Sequence, residues 1–130
     1  MIVASKVAYS RVYGFNRQPI MYAVLVDRLW PRGFSKDAIV WDEWIKDLSP
    51  SDSLRRWYGH DPNKYDEFQA KYRAELHDEE DVLKNLVEKT ETKILVFLTA
   101  SKAVDISNAA VLAKYVAGKF GIMLTAVQDK

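Results

Sequence analysis

The feature that most constrains this fold is the apolar run IMYAVLV at residues 20–26, which ends abruptly in Asp27 and Arg28. A run with almost no polar position cannot alternate between core and solvent, so it predicts a strand that is buried on both faces. Strands of this kind are typical of parallel sheets that are covered on both sides. Pro31 and Gly33 follow and end the strand, because proline lacks a backbone donor and glycine frees the backbone.

The rest of the chain alternates strand and helix patterns in a single domain spanning residues 1–130. Residues 39–48 fit either a strand or a helix, and Ser35 is placed to cap a short helix at 36–40. The order predicts an α/β layered sandwich, with helices packed on a mainly parallel central sheet. The further predicted strands are 2–9, 93–98 and 122–127, and the predicted helices are 52–58, one starting at Asp61-Pro62, one opening at 78–81, and about 106–117, ended by Gly118 and Gly121.

Composition removes several classes of chemistry. The chain has no cysteine, which excludes disulfides, thiol nucleophiles and cysteine-based zinc sites. It has two histidines, so we expect no metal site, and it has no glycine-rich phosphate loop, so we expect no cofactor. The first residues are too short an apolar run for a signal peptide, and no segment approaches the roughly 18 apolar residues of a membrane helix. We therefore expect a cytoplasmic protein that does not associate with membranes.

The net charge of +1 hides an uneven distribution. Residues 1–36 carry +5, residues 37–91 carry −7, and residues 92–130 carry +3. A near-neutral total argues against strong non-specific nucleic-acid binding, which requires many phosphate contacts. The two basic ends can still form one local anion site, whereas the acidic middle is also what a solvated helical face looks like.

Two polar loops directly follow two predicted strands. The 27–33 loop brings Asp27, Arg28, Trp30, Arg32 and Gly33, and the 99–102 loop brings Thr99 and Ser101. Ligands of open parallel sheets bind beyond the carboxyl ends of the strands, so these loops are expected to share one crevice and bind an anion. In this hypothesis Asp27 orients a guanidinium. The alternative is structural: Asp27 pairs with Arg28 or Arg32, and Trp30 plugs the end of the sheet.

A second group of candidates lies at residues 55–60. Arg55 would add a guanidinium to the anion site, and Trp57 would form a wall of it. His60 is the only side chain in this segment that changes charge near neutral pH, which makes it the one candidate for a catalytic proton carrier. We nevertheless expect His60 to have a structural role first, because it lies between Gly59 and the helix start at Asp61-Pro62. The alternative for Trp57 is packing at the end of the helix.

Four segments resemble the YeaO-like family, a domain of unknown function (family 488). The resemblance covers most of residues 2–115, and it implies an α/β fold and a small cytoplasmic protein without implying an established reaction. The matching segments are VDRLWPRG at 26–33, WIKDLSPS at 44–51, LRRWYGHDP at 54–62, and a helix with Phe68, Tyr72-Arg73 and Glu75-Leu76.

The sequence departs from the family pattern just before the last helix. Members usually carry a Glu-His-Asn-like run there, whereas this chain has Asp105, Ile106, Ser107 and Asn108. The imidazole is missing, so any role of that histidine does not transfer to this chain. Whether the chain is an enzyme stays open at this point.

Two functional hypotheses follow. The first is a small protein that binds a phosphate- or carboxylate-bearing molecule in a pocket formed by residues 28–33. The second is a nucleic-acid-associated or regulatory module, in which arginines meet phosphates while aromatic rings stack on bases. We also expect a homo-oligomer, most simply a homodimer, because a domain of this size is not expected to bury four Trp, seven Tyr and five Phe completely.

Overall fold

A computed structural model of the chain describes residues 3–127, and its centre is a parallel β-sheet. The strands lie in the order β3-β2-β4-β1-β5, and every neighbouring pair is parallel. This arrangement confirms the predicted α/β class with a parallel central sheet. Residue 2 of the predicted strand 2–9 lies outside the described range. The strands are β1 (Lys6–Arg11), β2 (Met21–Leu25), β3 (Glu43–Trp44), β4 (Ile94–Thr99) and β5 (Met123–Leu124).

Four α-helices lie at the positions that the sequence pattern indicates. Helix α1 is capped by Ser51, whose Oγ accepts from the Leu54 amide at 3.2 Å, and it ends at Gly59, where φ is +52°. That left-handed backbone favours glycine. In α2 the three side chains Phe68, Tyr72 and Leu76 are fully buried, as their helical spacing predicts. The helices are α1 (Asp52–Tyr58), α2 (Tyr65–His77), α3 (Glu80–Lys89) and α4 (Asn108–Phe120).

Two sequence-based expectations are wrong, and one open alternative is resolved. Gly118 does not end the last helix but lies inside it, and α4 continues to Phe120 because its buried stripe tolerates an exposed glycine on the opposite face. The expected helix at 36–40 is a single 3₁₀ turn at Lys36–Ala38 with no buried residue to extend it. The ambiguous 39–48 segment contains both a two-residue strand, β3, and a 3₁₀ turn at Lys46–Leu48.

The two faces of the sheet are covered in different ways. On one face, β-strand residues such as Val7 and Phe97 pack against all four helices. On the other face, Leu25 and Val96 pack against irregular segments that contribute Trp41, Phe15 and Val12. Residues 23–26 have no exposed surface, which confirms that the strand predicted at 20–26 is buried on both faces, and residues 95–98 of the central strand β4 are equally buried. Aromatic loops thus replace the second helix layer of a common α/β sandwich. No helix within residues 3–127 is both long enough and apolar enough to cross a bilayer.

Candidate anion-binding site

The 27–33 and 99–102 loops border one cavity at the carboxyl ends of β2 and β4. The cavity has a volume of about 530 Å³. Helix α1 and the residues that follow it close the opposite side. Of the side chains singled out in the sequence, those that line the cavity are Asp27, Arg28, Trp30, Arg32, Arg55, His60, Thr99 and Ser101. Gly33 and Trp57 are not among its lining residues.

The Asp27 carboxylate connects the carboxyl ends of β2 and β4 by hydrogen bonds. Its carboxylate accepts hydrogen bonds from the Thr99 hydroxyl at 2.8 Å and from the Ala100 amide at 2.7 Å. The Asn108 side-chain amide, at the start of α4, donates to it at 3.2 Å. Asp27 therefore does not orient a guanidinium as the sequence suggested, because these three donors already surround it where β2 meets β4.

Three of the guanidinium groups converge on one carboxylate, Asp52. The Asp52 oxygens lie 3.5 Å from Arg28 Nε, 3.4 Å from an Arg55 nitrogen and 4.0 Å from an Arg56 nitrogen. Arg28 Nε is buried, yet it has no hydrogen-bond partner among the described residues. Arg32 is exposed, and no carboxylate of residues 3–127 lies within 4 Å of its guanidinium. Positive charge at this cavity consequently exceeds negative charge.

The Trp30 ring is held in a fixed orientation at the cavity wall. Its Nε1 donates to the Phe34 carbonyl at 2.7 Å. Trp41 and Trp44 meet the ring edge-on, with centroid distances of 5.2 Å and 5.7 Å. The residue is still 39% exposed. Trp30 therefore combines the structural role of an aromatic plug with a free surface on the cavity.

His60 and Ser101 meet across the cavity. Nδ1 of the exposed imidazole lies 3.5 Å from Ser101 Oγ, at the outer limit of a hydrogen bond. The backbone of His60 has a φ of +58°, a left-handed conformation that costs energy in a residue with a Cβ. The ring is thus open to the cavity rather than buried in the scaffold.

Contacts with the core fix the position of α1 and its arginines. The Glu75 carboxylate accepts from the Ser51 amide at 2.8 Å and from the Ser51 hydroxyl at 2.6 Å, joining the start of α1 to α2.

At the C-terminal end of α1, the Tyr58 hydroxyl donates to the Ile106 carbonyl at 2.7 Å. Burial raises the pKa of Tyr58 to about 12, with smaller contributions from Tyr65 and Asp61. The Tyr58 ring stacks on Phe68 at 4.0 Å, and both rings line the cavity.

The two candidates outside the lining have other contacts. Gly33 has a φ of +89°, which glycine adopts without strain in the turn after Pro31, so it shapes the loop rather than facing the cavity. Trp57 lies beneath two ammonium groups, with Lys71 Nζ 4.1 Å and Lys64 Nζ 5.2 Å from its ring. This placement agrees with the alternative of packing at the helix end.

Several residues of the site were missed in the sequence. Asp52 was not singled out in the sequence, and Tyr58 and Phe68 were noted only as members of predicted helices and of the family segments. Asn108 lies in the segment that departs from the family pattern, which was the one available signal for it. Within residues 3–127 no group of three or more His, Asp or Glu side chains is arranged to hold a metal ion.

Comparison with known proteins identifies relatives over most of the chain. Residues 6–122 match the profile of the family described as "Inactive DUF488-N3 subclade". An uncharacterised protein of Mycobacterium tuberculosis (strain ATCC 25618 / H37Rv) is 40% identical over 119 residues, which cover 92% of this chain and all of that protein. The uncharacterised protein YeaO of Escherichia coli (strain K12) is 37% identical over 105 residues, covering 81% of this chain and 91% of YeaO. No solved structure matches.

Proposed function

Since the chain belongs to the inactive DUF488-N3 subclade, we propose that it binds a small phosphate- or carboxylate-bearing molecule without transforming it. The binding site is the cavity between the 27–33 loop, the 99–102 loop and α1. The description of the family as inactive supports a binding role over a catalytic one. The absence of an imidazole from residues 105–108 supports the same conclusion.

The observation that carries this proposal is the number of guanidinium groups at one cavity. Arg28, Arg32, Arg55 and Arg56 all line it, whereas the carboxylates near them are Asp27 and Asp52. Asp27 is already satisfied by three donors, and the half-exposed Asp52 is shared among three arginines. The planar guanidinium fork matches the oxygens of phosphate and carboxylate groups, and here it is supplied in excess.

Calorimetric titration with inorganic phosphate and with malonate tests the proposal. We expect saturable binding of at least one of these anions, and Arg32→Gln should weaken it by roughly tenfold, because a hydrogen bond to a charged group is lost. Arg73→Gln is the matched control: Arg73 is exposed on α2, where its guanidinium approaches Gln69, and it should leave the affinity unchanged. If neither phosphate nor malonate binds at low ionic strength, the proposal is refuted.

The nucleic-acid hypothesis is the second candidate, and the interleaving of arginines with Trp30 favours it. Salt dependence separates the two. A polynucleotide that contacts several of these arginines loses affinity with a slope of several units of log affinity against log salt concentration. A small anion gives a slope near one unit. A steep slope with an oligonucleotide would replace the small-molecule proposal.

The cytoplasmic location and the homodimer stay predictions. As the sequence suggested, the aromatic side chains are not all buried, and Trp30 is 39% exposed. The most exposed large apolar side chains are Met123, at 67%, and Leu29, at 63%. Met123 lies on β5, at one edge of the sheet, where a second copy has apolar surface to cover. Sedimentation equilibrium at micromolar concentration measures the assembly directly, and a monomer mass would contradict the homodimer.

A further inference from the structure

We propose that the ligand of this cavity is a phosphate monoester that also carries a flat aromatic ring and has the size of a nucleoside monophosphate. This inference rests on the proposed function, and it adds the charge and the shape of the molecule. It follows from three features of the same cavity: its excess charge, its rigid aromatic wall and its volume.

The charge favours a dianion over a simple carboxylate. Four guanidinium groups against two carboxylates leave a formal excess of two positive charges. A phosphate monoester carries a charge of about −1.5 to −2 near neutral pH, whereas a monocarboxylate carries −1. The buried Nε of Arg28 lies 3.5 Å from the Asp52 carboxylate but makes no hydrogen bond to a described residue, and an additional acceptor would satisfy it.

The aromatic wall favours a flat ring in the rest of the ligand. Trp30 cannot turn freely, because Phe34 holds its Nε1 and the rings of Trp41 and Trp44 abut it. A ring with exposed surface that is already immobilised loses little conformational freedom when another ring stacks on it. Leu29, next to it in the cavity lining, is 63% exposed and offers further apolar contact.

The volume favours a molecule larger than a bare anion. At about 530 Å³, the cavity lies within the range of roughly 300–1,000 Å³ that is typical of sites for small organic ligands. Inorganic phosphate would leave most of this space, including the Trp30 surface, without contacts. A nucleoside monophosphate has both parts that the cavity offers to bind.

The decisive comparison is between adenosine 5′-monophosphate and ribose 5-phosphate, measured by calorimetry on the full chain. The two carry the same phosphate, and the first adds a flat base. We expect the nucleotide to bind at least about fivefold more tightly, because stacking of a base on an aromatic side chain contributes that much or more. Equal binding of both would overturn the inference and leave the proposed function standing. If neither of them binds and malonate does, only the inference fails; if inorganic phosphate and malonate also fail to bind, the inference and the proposed function both fail.

Variants of Trp30 locate the source of the preference. Trp30→Leu should abolish the difference between the two ligands, and Trp30→Phe should keep most of it, since a ring remains. Trp57→Leu is the matched control, because Trp57 lies outside the cavity lining and its loss should not change the ratio. A preference that survives in Trp30→Leu would overturn the role of this ring. If Trp30→Leu does not fold, loss of the preference in Trp30→Phe would overturn it instead.

Discussion

The Thr99 hydroxyl donates a hydrogen bond to the Asp27 carboxylate at 2.8 Å, across 72 positions of sequence. The two residues lie at the carboxyl ends of β4 and β2, which are adjacent in the sheet. Because the Ala100 amide and the Asn108 side chain donate to the same carboxylate, one acidic group joins two strands and the last helix. The relative position of the two cavity loops therefore depends on Asp27.

Asp27→Asn should destabilise the fold by about 2 kcal/mol. The substitution replaces an acceptor oxygen with an NH₂ group that donates, so at least one of the three donors loses its acceptor in a partly buried place. Urea unfolding measured at pH 7 gives the change in the free energy of unfolding. Asp37→Asn is the control, since Asp37 is exposed on a 3₁₀ turn and should change stability by less than about 0.5 kcal/mol. Equal stability of both variants would contradict the joining role of Asp27.

Ser51→Ala should cost about 1–2 kcal/mol of stability and also weaken anion binding. The variant loses the side-chain cap of α1 and the 2.6 Å hydrogen bond to Glu75. Binding weakens because α1 carries Arg55 and Arg56, and its first turn holds Asp52. Ser35→Ala serves as the control for urea unfolding and for phosphate titration, since Ser35 is exposed and its side chain makes no cap hydrogen bond at the 3₁₀ turn Lys36–Ala38. Unfolding curves that coincide for the two variants would show that the cap is unimportant.

His60→Gly should stabilise the protein by about 0.5–1 kcal/mol. The left-handed backbone costs a residue with a Cβ about 1–2 kcal/mol, and glycine returns part of that gain through its more flexible unfolded state. Thr92→Gly is a matched control, because Thr92 has a φ of +68° and is also exposed. Thermal and urea unfolding of both variants measure the effect. A loss of stability in His60→Gly alone would assign the imidazole the structural role that the sequence suggested first.

Tyr58→Phe should lose about 1 kcal/mol at pH 8, because the hydrogen bond to the Ile106 carbonyl is removed. The pKa of Tyr58 is raised from 10.0 to about 12 in the folded protein, so its contribution is fully present below pH 10 and is lost as the pH rises towards 12. The stability gap between wild type and variant should therefore narrow between pH 10 and pH 12. Urea unfolding at pH 8 and pH 11 checks this, and a gap that widens at pH 11 would contradict the raised pKa.

Local patterns were sufficient for most of the fold. The run at 20–26 predicted a buried parallel strand because no polar position interrupts it, and the spacing of Phe68, Tyr72 and Leu76 predicted the buried stripe of α2. The segment 39–48 could be predicted only as either a strand or a helix, because the two residues of β3 are too few to show a strand period. The C-terminal end of α4 was also not predicted. Gly118 looks like a helix-ending glycine in the sequence, but in the structure it is an exposed position inside the helix.

The site was predictable in its members more than in their contacts. Polar residues after two parallel strands indicated that Arg28, Arg32, Thr99 and Ser101 would share a crevice, and all four line one cavity. The partners of Asp27 could not be read from spacing, because Thr99, Ala100 and Asn108 approach it only after the whole sheet has formed. The position of Trp57 depends on which face of α1 meets α2. A helix of seven residues has only two turns, so its apolar pattern is too short to predict that face.

The strand order has a consequence for how the chain folds as it is synthesised. The central strand, β4, is the fourth of five in sequence, and both β1 and β2 pair with it rather than with each other. Until residue 99 has left the ribosome, β1 and β2 lack the strand that lies between them. About three quarters of the polypeptide is therefore synthesised before their apolar side chains can be buried in the sheet. Pairings this distant in sequence are slow to form. Nascent chains that end before Thr99 should therefore depend on chaperones to escape aggregation. Their resistance to protease should stay low as they lengthen and should rise sharply once β4 is complete.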